Sequence, residues 1–332
     1  MKPILSRLKP YLRWFILGAT LFFLAQTLKD NAAAVANIEI TQSSWIALAI
    51  ALGITMLAHL WSGWVWLWIL AEFNQPVPLG WGLQVYLTTN IAKYLPGNVW
   101  HFYGRITAVA GRGVSLPVAT LSVLLEPLLM AASAFIIALL GSGNLLQNAP
   151  TGGSAGTATA IFQFLGLGAV LIGIHPKILN PIVQFLGQKK LKKSQKAPGS
   201  DAPAETPNPE STPPAAQLAR YPALPFLGEF GFLLFRGVGF MFAVQAMTPV
   251  QVTQLPMLLG AFSFAWLLGL VVPGAPGGIG VFEATAIALL KGNFSAAVIL
   301  GAVAFYRLIS VLAEASAAAI AWLCGKLNPP TG

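Results

Sequence analysis

Long apolar runs separated by short polar breaks fill most of the chain. Six runs are uninterrupted and approach or exceed the roughly 20 residues that a helix needs to cross a bilayer. They cover residues 12–28, 44–70, 116–141, 157–175, 222–246 and 295–323. Two further apolar segments, 81–110 and 255–291, contain Pro-Gly sequences, which end helices. The pattern predicts an all-α polytopic membrane protein with about six spanning helices and two broken re-entrant hairpins, or eight spans.

Composition agrees with a membrane location. Of the 332 residues, 56% are hydrophobic and 9% are charged, whereas soluble domains carry about 25% charged residues. The net charge of +9 is concentrated in the N-terminal tail and one linker. This distribution is typical of cytoplasmic loops and argues against a nucleic-acid partner. Cys324 and three dispersed histidines (His59, His101 and His175) provide no disulfide and no metal-ligand spacing, so no metal and no cofactor is expected.

The one long polar stretch, 186–221, begins with five lysines and continues with prolines and a few acidic residues. Such a composition cannot bury enough apolar surface to fold, and it predicts a flexible cytoplasmic linker. It divides the chain into a first membrane half, 1–185, and a second, 222–332. The basic residues predict a multi-pass protein of the cell membrane with cytoplasmic N- and C-termini. We interpret the signal-like first run as a retained helix.

The two broken segments correspond to each other. "NIAKYLPGNVWHFYGR" spans 90–105, and "PGAPGGIGVFEA" spans 273–284. Matching residues lie 177 to 181 positions apart: His59 and Arg236, Pro96 and Pro273, Glu126 and Arg307. With the orientation given by the loop charges, this predicts two inverted repeats whose hairpins enter from opposite sides. Paired interrupted segments of this kind indicate the binding site of a transporter.

Charged residues also lie within the predicted spans and hairpins. Four are basic and four acidic: Lys93, Arg105, Arg236, Arg307, Glu126, Glu229, Glu283 and Glu314. An unpaired charge at the bilayer centre costs at least about 2.5–3.5 kcal/mol, so these side chains are expected to face a polar interior. A spacing of seven places Arg307 with Glu314, and Glu229 with Arg236, on common helix faces. Internal salt bridges and a substrate route are both open interpretations, and the set as a whole favours the route.

The glycine-rich break has chemistry of its own. A helix that begins at depth presents unpaired N–H groups and a partial positive charge, which suit an anionic group such as a lipid phosphate. Glycines let a ligand approach closely, although they also serve tight helix packing. The candidate substrate-binding residues are Lys93, Arg105, Glu126, Arg236, Gly277, Gly278, Gly280, Glu283, Arg307 and Glu314. No catalytic residue is expected.

At these two motifs, together with Glu126 and Tyr306-Arg307, the chain resembles the lysylphosphatidylglycerol synthase transmembrane-region family over about 12–323. The resemblance implies an integral membrane protein, and the best-understood branch of that family moves lipids with modified headgroups between leaflets. The sequence does not contain the soluble aminoacyl-transferase domain of the bifunctional branch. Aminoacylation of lipid is therefore not expected.

Residues and resemblance together predict a translocase, or flippase, of an anionic or polyprenyl-linked lipid, and not an enzyme. Its headgroup would bind between the two broken helices. The expected partners are membrane lipids, and lipid-pathway enzymes and a homo-oligomer stay open. The alternative is a membrane accessory protein or a membrane-embedded polyprenyl-lipid glycosyltransferase of a lipid or glycan pathway. Asp30 and Asp201 are the only aspartates, so no D-x-D metal motif exists.

Overall fold

A computed structural model describes most of both membrane halves. The described residues are 29, 40–94, 99–141, 165–166, 168–178, 180–181, 218, 220–272, 278 and 280–327. The predicted first helix (12–28), most of the linker and the two Pro-Gly tips, including Gly277, lie outside these residues. The predicted span 157–175 is described in part, with helical backbone at 165–166 and 168–173.

All the regular secondary structure of the described residues is helical. The α-helices are α1 (Gln42–Glu72), α2 (Leu79–Asn90), α3 (Trp100–Ala110), α4 (Leu116–Gly141), α5 (Ala223–Gln245), α6 (Leu255–Val271), α7 (Val281–Leu290) and α8 (Ala296–Leu327). A 3₁₀ turn, Ile91–Tyr94, follows α2, and another, Val252–Gln254, precedes α6. Five helices, α6 being counted with its turn, are long and apolar enough to cross a membrane. The prediction of an all-α polytopic membrane protein is confirmed.

The continuous apolar runs appear as single long helices. Those predicted at 44–70, 116–141, 222–246 and 295–323 correspond to α1, α4, α5 and α8. The first interrupted segment forms the short helices α2 and α3, and the second forms α6 and α7. At 1.5 Å per residue, α2, α3 and α7 are each about 15–18 Å long, roughly half of the hydrocarbon core. The second segment is asymmetric, because α6 with its turn reaches the length of a span.

Local sequence signals set both ends of α1. Thr41 caps its first turn, and the Thr41 Oγ1 accepts a hydrogen bond from the Ser44 amide at 3.3 Å. At the other end Asn74 adopts a left-handed backbone with φ 57°, a conformation that asparagine tolerates better than most residues. Pro78 then occupies the N-cap position of α2. These signals separate the long helix α1 from the first broken segment.

The interior consists of packed apolar side chains around the long helices. One cluster surrounds Trp66 and Leu125, both fully buried. Another contains four aromatic rings, Phe240, Phe262, Phe282 and Tyr306, and every pair of these rings lies within 6.1 Å centre to centre. The rings come from α5, α6, α7 and α8. This second cluster therefore fixes α7 of the broken segment against three longer helices.

Helices α4 and α6 approach each other at two glycines. A Cβ atom added to Gly141 would lie 2.5 Å from the Gly260 Cα, and one added to Gly260 would lie 2.7 Å from the Gly141 Cα. Only a residue without a side chain fits this crossing, which is a common solution where membrane helices pack closely. The contact joins a long helix of the first half to the broken segment of the second half.

Candidate functional site

The charged side chains of the interior form three ion pairs within the described part of the chain. These pairs join Arg105 to Glu126, Lys93 to Glu314, and Arg307 to Glu283. Each pair links a broken segment to a long helix: α3 to α4, the turn after α2 to α8, and α7 to α8. The ion pairs thus hold both broken segments against the rest of the helix bundle.

The seven-residue spacings noted in the sequence do not produce ion pairs along one helix. Arg307 pairs with Glu283 rather than with Glu314, and no ion pair joins Glu229 to Arg236 within the described residues. Seven residues correspond to about 10.5 Å along a helix axis, which is longer than a direct ion-pair contact. Partners on neighbouring helices are closer, so the charges connect helices instead.

The first ion pair is buried and well hydrogen-bonded. Arg105 is 2% exposed and Glu126 is 3% exposed. One Glu126 oxygen binds Arg105, and the other accepts a hydrogen bond from the Tyr86 hydroxyl at 2.6 Å. The Tyr86 oxygen also lies 2.7 Å from the Ser62 hydroxyl, and Arg105 donates to the Asn90 side chain at 3.3 Å. The guanidinium carbon lies 3.9 Å from the centre of the Tyr86 ring. With these partners the pair fits a structural role, and the Arg105 Nε is the one nitrogen of the pair with no hydrogen-bond partner among the described residues.

The ion pair between Arg307 and Glu283 lies at the start of α7. Arg307 Nε donates to Glu283 Oε1 at 2.6 Å, and the other Glu283 oxygen accepts from the Gly280 amide at 2.6 Å. Arg307 Nη2 also donates to the Gly278 carbonyl at 3.0 Å. Both glycines have left-handed backbones, with φ of 71° and 88°, which a residue with a Cβ rarely adopts.

The sequence predicted free amide groups at the start of α7 that could bind a ligand. The Gly280 amide is instead already hydrogen-bonded to Glu283 within the chain. Glu283 is the third residue of α7, and its carboxylate reaches back to the N-cap amide of Gly280 in a capping arrangement. A negative charge is favourable there because of the helix dipole. Arg307 is still 29% exposed, so this pair is more accessible than the first.

The third group of charges, which we call the central cluster, contains His59, Lys93, Arg236 and Glu314. Lys93 Nζ lies 2.5 Å from Glu314 Oε1, and His59 Nε2 lies 3.2 Å from the same oxygen. Arg236 Nη1 lies 3.3 Å from His59 Nε2. Its guanidinium carbon lies 5.2 Å from the centre of the Tyr306 ring. Side chains of four separate elements thus form one cluster, in which Lys93 and His59 contact the Glu314 carboxylate and Arg236 contacts His59.

The central cluster has more positive than negative charge. Arg236 is 7% exposed, and within the described residues no carboxylate forms an ion pair with it. Its Nε has no hydrogen-bond partner there. Among the described residues Glu314 is the one carboxylate in reach; Lys93 and His59 both contact its Oε1, and its Oε2 has no hydrogen-bond partner. With a neutral His59, the cluster contains two cations and one anion.

His59 was not among the residues singled out from the sequence as binding candidates. An isolated histidine without ligand spacing gives no functional signal, but its relation to Arg236 across the repeat did mark the position. Its Nε2 faces a carboxylate oxygen and a guanidinium N–H at once. One ring nitrogen can donate or accept a hydrogen bond, but not both in the same tautomer. His59 therefore satisfies Glu314 or Arg236 at any one time.

Glu229 is the most isolated charge of the interior. It is fully buried on α5, and neither carboxylate oxygen has a hydrogen-bond partner among the described residues. Its electrostatic neighbours are Glu126 and Arg105. The sequence identified Glu229 as an interior charge but gave no reason to place it in a site.

The central cluster lies at mid-depth in the helix bundle. His59, Arg236 and Glu314 are each near the middle of α1, α5 and α8, respectively. On α8, Arg307 and Glu314 contact the second and the first broken segment, and they are about 10.5 Å apart along the axis. The two breaks therefore lie on either side of one short stretch of α8.

Other features of the described residues lie apart from this site. No group of three or more His, Cys, Asp or Glu side chains within them could hold a metal ion. A further ion pair joins Arg220 to Glu72 at the end of α1, at 2.8 Å. The hydrogen bonds that Glu72 accepts raise the pKa of Arg220. The Arg220 side chain of this pair is 76% exposed.

Comparison with known proteins identifies a family. A family model described as "Lysylphosphatidylglycerol synthase TM region" matches residues 12–315. The matched range includes both broken segments and all four residues of the central cluster. A search of curated proteins gives no significant match.

Proposed function

The chain belongs to the lysylphosphatidylglycerol synthase transmembrane-region family, and from this premise we propose that it is a translocase of an anionic or polyprenyl-linked lipid in the cell membrane. The headgroup passes between the two broken segments while the acyl or prenyl chains stay in the bilayer. The activity moves the lipid without making or breaking a covalent bond.

The excess positive charge of the central cluster is the observation that carries the proposal. A buried charge without a partner is costly in a low-dielectric interior. A phosphate group between Arg236 and Lys93 would accept charge-assisted hydrogen bonds and restore neutrality. The cluster lies at mid-depth and beside both breaks, where the headgroup of a crossing lipid would be farthest from water.

We further propose that the broken segments are re-entrant hairpins in two inverted repeats. The short lengths of α2, α3 and α7 support this arrangement. The ion pairs also support the repeat. Arg105 pairs with Glu126 in the first half, and at the equivalent positions of the second half Glu283 pairs with Arg307. The two pairs have opposite polarity but connect equivalent elements.

A contact between His59 and Arg236 supports the same arrangement. These residues are equivalent in the two repeats and are separated by 177 positions. Equivalent residues can touch each other only close to the axis that relates the repeats, and in inverted repeats this axis lies in the membrane plane. The proposed axis therefore passes through the central cluster, where a transporter of this type binds its substrate.

The proposed orientation follows from the linker. Its lysines lie on the cytoplasmic side, so the first hairpin enters from the cytoplasm and the second from outside. Both termini are then cytoplasmic. In this arrangement Lys93 is presented from the cytoplasmic hairpin and Arg307 faces the hairpin of the opposite side.

A leaflet assay with purified protein tests the proposal. Vesicles of phosphatidylcholine contain a trace of acyl-labelled fluorescent phosphatidic acid or phosphatidylglycerol, and dithionite bleaches the label in the outer leaflet. Protein-containing vesicles are expected to bleach beyond the plateau of protein-free vesicles. Arg236→Ala removes a charged hydrogen-bond donor worth about 1.5–3 kcal/mol, so the rate should fall at least about tenfold.

Matched controls separate binding from general damage. Lys291→Ala removes an exposed lysine at the end of α7, and it is expected to leave the rate unchanged. Arg236→Lys keeps the charge and should retain part of the activity. The proposal fails if no anionic or polyprenyl-phosphate probe moves in the wild type, or if Arg236→Ala is as active as Lys291→Ala.

A further inference from the structure

The eight interior charges leave two residues without an ion pair. Three pairs account for six charges, and the two that remain within the described residues are Arg236 and Glu229. Both are on α5, seven residues and about 10.5 Å apart. Arg236 contacts His59 in the central cluster, whereas no residue that the structure describes donates a hydrogen bond to Glu229. A single helix thus carries an unmatched cation and an unmatched carboxyl group.

The surroundings of Glu229 provide no cation of its own. The charged groups that face it are Glu126 of α4 and Arg105 of α3. Arg105 already binds Glu126, whose second oxygen accepts the Tyr86 hydroxyl of α2. The indole of Trp61 on α1 donates to the backbone carbonyl of the adjacent Gly228 at 2.7 Å and not to the carboxyl group.

We propose that Glu229 is a proton-binding site that is loaded together with the anionic headgroup, so that the protein moves the lipid and one proton in the same direction. The inference rests on the proposed function and names its coupling ion. On loading, a proton from water forms an O–H bond with one Glu229 oxygen. On the other side of the membrane that bond breaks and the proton returns to water.

A proton fits this position better than a metal ion. Na⁺, Mg²⁺ or Ca²⁺ would need several oxygen ligands around one point. Among the described residues the only carboxylate beside Glu229 is that of Glu126, and both of its oxygens are engaged. A proton needs no further ligand, and it removes the charge of a carboxyl group that is fully buried.

The charges of the interior explain why the two ligands would travel together. With neither ligand, the central cluster carries one excess positive charge and Glu229 one negative charge, so their sum is zero. With a singly charged headgroup and a proton both bound, the sum is again zero. Either ligand alone leaves a net charge in the low-dielectric interior, which is costly to move across a membrane. The neutral states are therefore the ones that change orientation.

Imposing a pH difference across the vesicles tests this coupling. Wild-type protein is reconstituted in phosphatidylcholine with a trace of acyl-labelled fluorescent phosphatidylglycerol, and the lumen is set one pH unit above the outside. The leaflet distribution is then read by dithionite bleaching. With one proton per lipid, phosphatidylglycerol should become enriched in the leaflet on the alkaline side by about tenfold, because one pH unit corresponds to a factor of ten in proton concentration. This outcome does not depend on how the protein is oriented in the vesicle.

Two substitutions separate the coupling from transport itself. Glu229→Gln keeps the size of the side chain but cannot exchange a proton, and it should abolish the enrichment. Glu229→Asp keeps the acid, and it should keep a response to the gradient. Glu72→Gln removes a carboxyl group at the end of α1 that lies apart from the site, and it should behave as the wild type. Circular dichroism and size-exclusion chromatography verify that each variant folds.

The possible results distinguish the two proposals. If wild-type protein moves phosphatidylglycerol but the gradient leaves both leaflets equal, the coupling is refuted and the translocase stands. The coupling is also refuted if folded Glu229→Gln responds to the gradient as the wild type does. If Glu229→Gln does not fold, the wild-type response to the gradient decides. If no anionic probe moves in the wild type, the proposed function fails and the coupling fails with it.

Discussion

Glu283 has two separable roles at the start of α7, and substitutions can measure each. Its carboxylate accepts from the Gly280 amide at 2.6 Å and from Arg307 at 2.6 Å. Glu283→Ala removes both interactions. Glu283→Gln keeps an oxygen for the amide, but its NH₂ group cannot accept from Arg307, so it removes both the charge and the hydrogen bond to Arg307.

The expected magnitudes follow from this geometry. Losing the cap costs about 1 kcal/mol, and losing the favourable charge at the helix N-terminus costs about 0.3–1 kcal/mol. Exposed ion pairs contribute about 0–1 kcal/mol, whereas breaking a buried pair costs about 3–5 kcal/mol. Arg307 is 29% exposed, so we expect the loss of its ion pair with Glu283 to cost about 1–2 kcal/mol, between the values for exposed and buried pairs. Glu283→Ala should therefore cost about 3 kcal/mol and Glu283→Gln about 2 kcal/mol, because the glutamine retains the cap.

Unfolding in mixed micelles provides the measurement. The fraction of sodium dodecyl sulfate is raised stepwise, and helix content is followed by far-ultraviolet circular dichroism. Lys291→Ala, at the other end of α7, serves as the control and should unfold with the wild type. Equal losses for Glu283→Ala and Glu283→Gln would refute the capping role, and no loss for either would refute the ion pair as well.

Two further predictions concern packing and the exposed ion pair. Gly141→Ala should destabilise the protein by about 1–3 kcal/mol because its Cβ would overlap Gly260. Gly53→Ala is the control and should be neutral or stabilising, because nothing lies within 4 Å of its Cβ. The micelle titration measures both variants. Glu72→Gln should leave the unfolding midpoint unchanged at low and high salt, because solvent screens the largely exposed Arg220. A loss at low salt alone would show that this pair does stabilise the fold.

The sequence was sufficient to locate helices because their signals are local. The run 116–141 coincides with α4, and the Pro-Gly breaks separate α2 from α3 and α6 from α7. Helices that are apolar on most sides do not reveal which face meets which neighbour. For that reason the sequence could identify Glu314 as an interior charge but not its pairing with Lys93. The role of Glu283 as a cap could not be predicted either, because it depends on where α7 begins.

Both halves contain an ion pair at equivalent positions, but the positions of the positive and negative residues are exchanged between the halves. Local structure accounts for this exchange. The attraction of an ion pair is the same when its two charges are exchanged, so either polarity can hold a broken segment against the following long helix. At Glu283 the residue lies in the first turn of α7, where the helix dipole favours an anion. At Arg105 the side chain lies inside α3 and over the Tyr86 ring, whose face attracts a cation. Exchanging Arg105 with Glu126 should therefore lose the ring contact, and exchanging Glu283 with Arg307 should lose the cap, although each exchanged pair keeps its attraction.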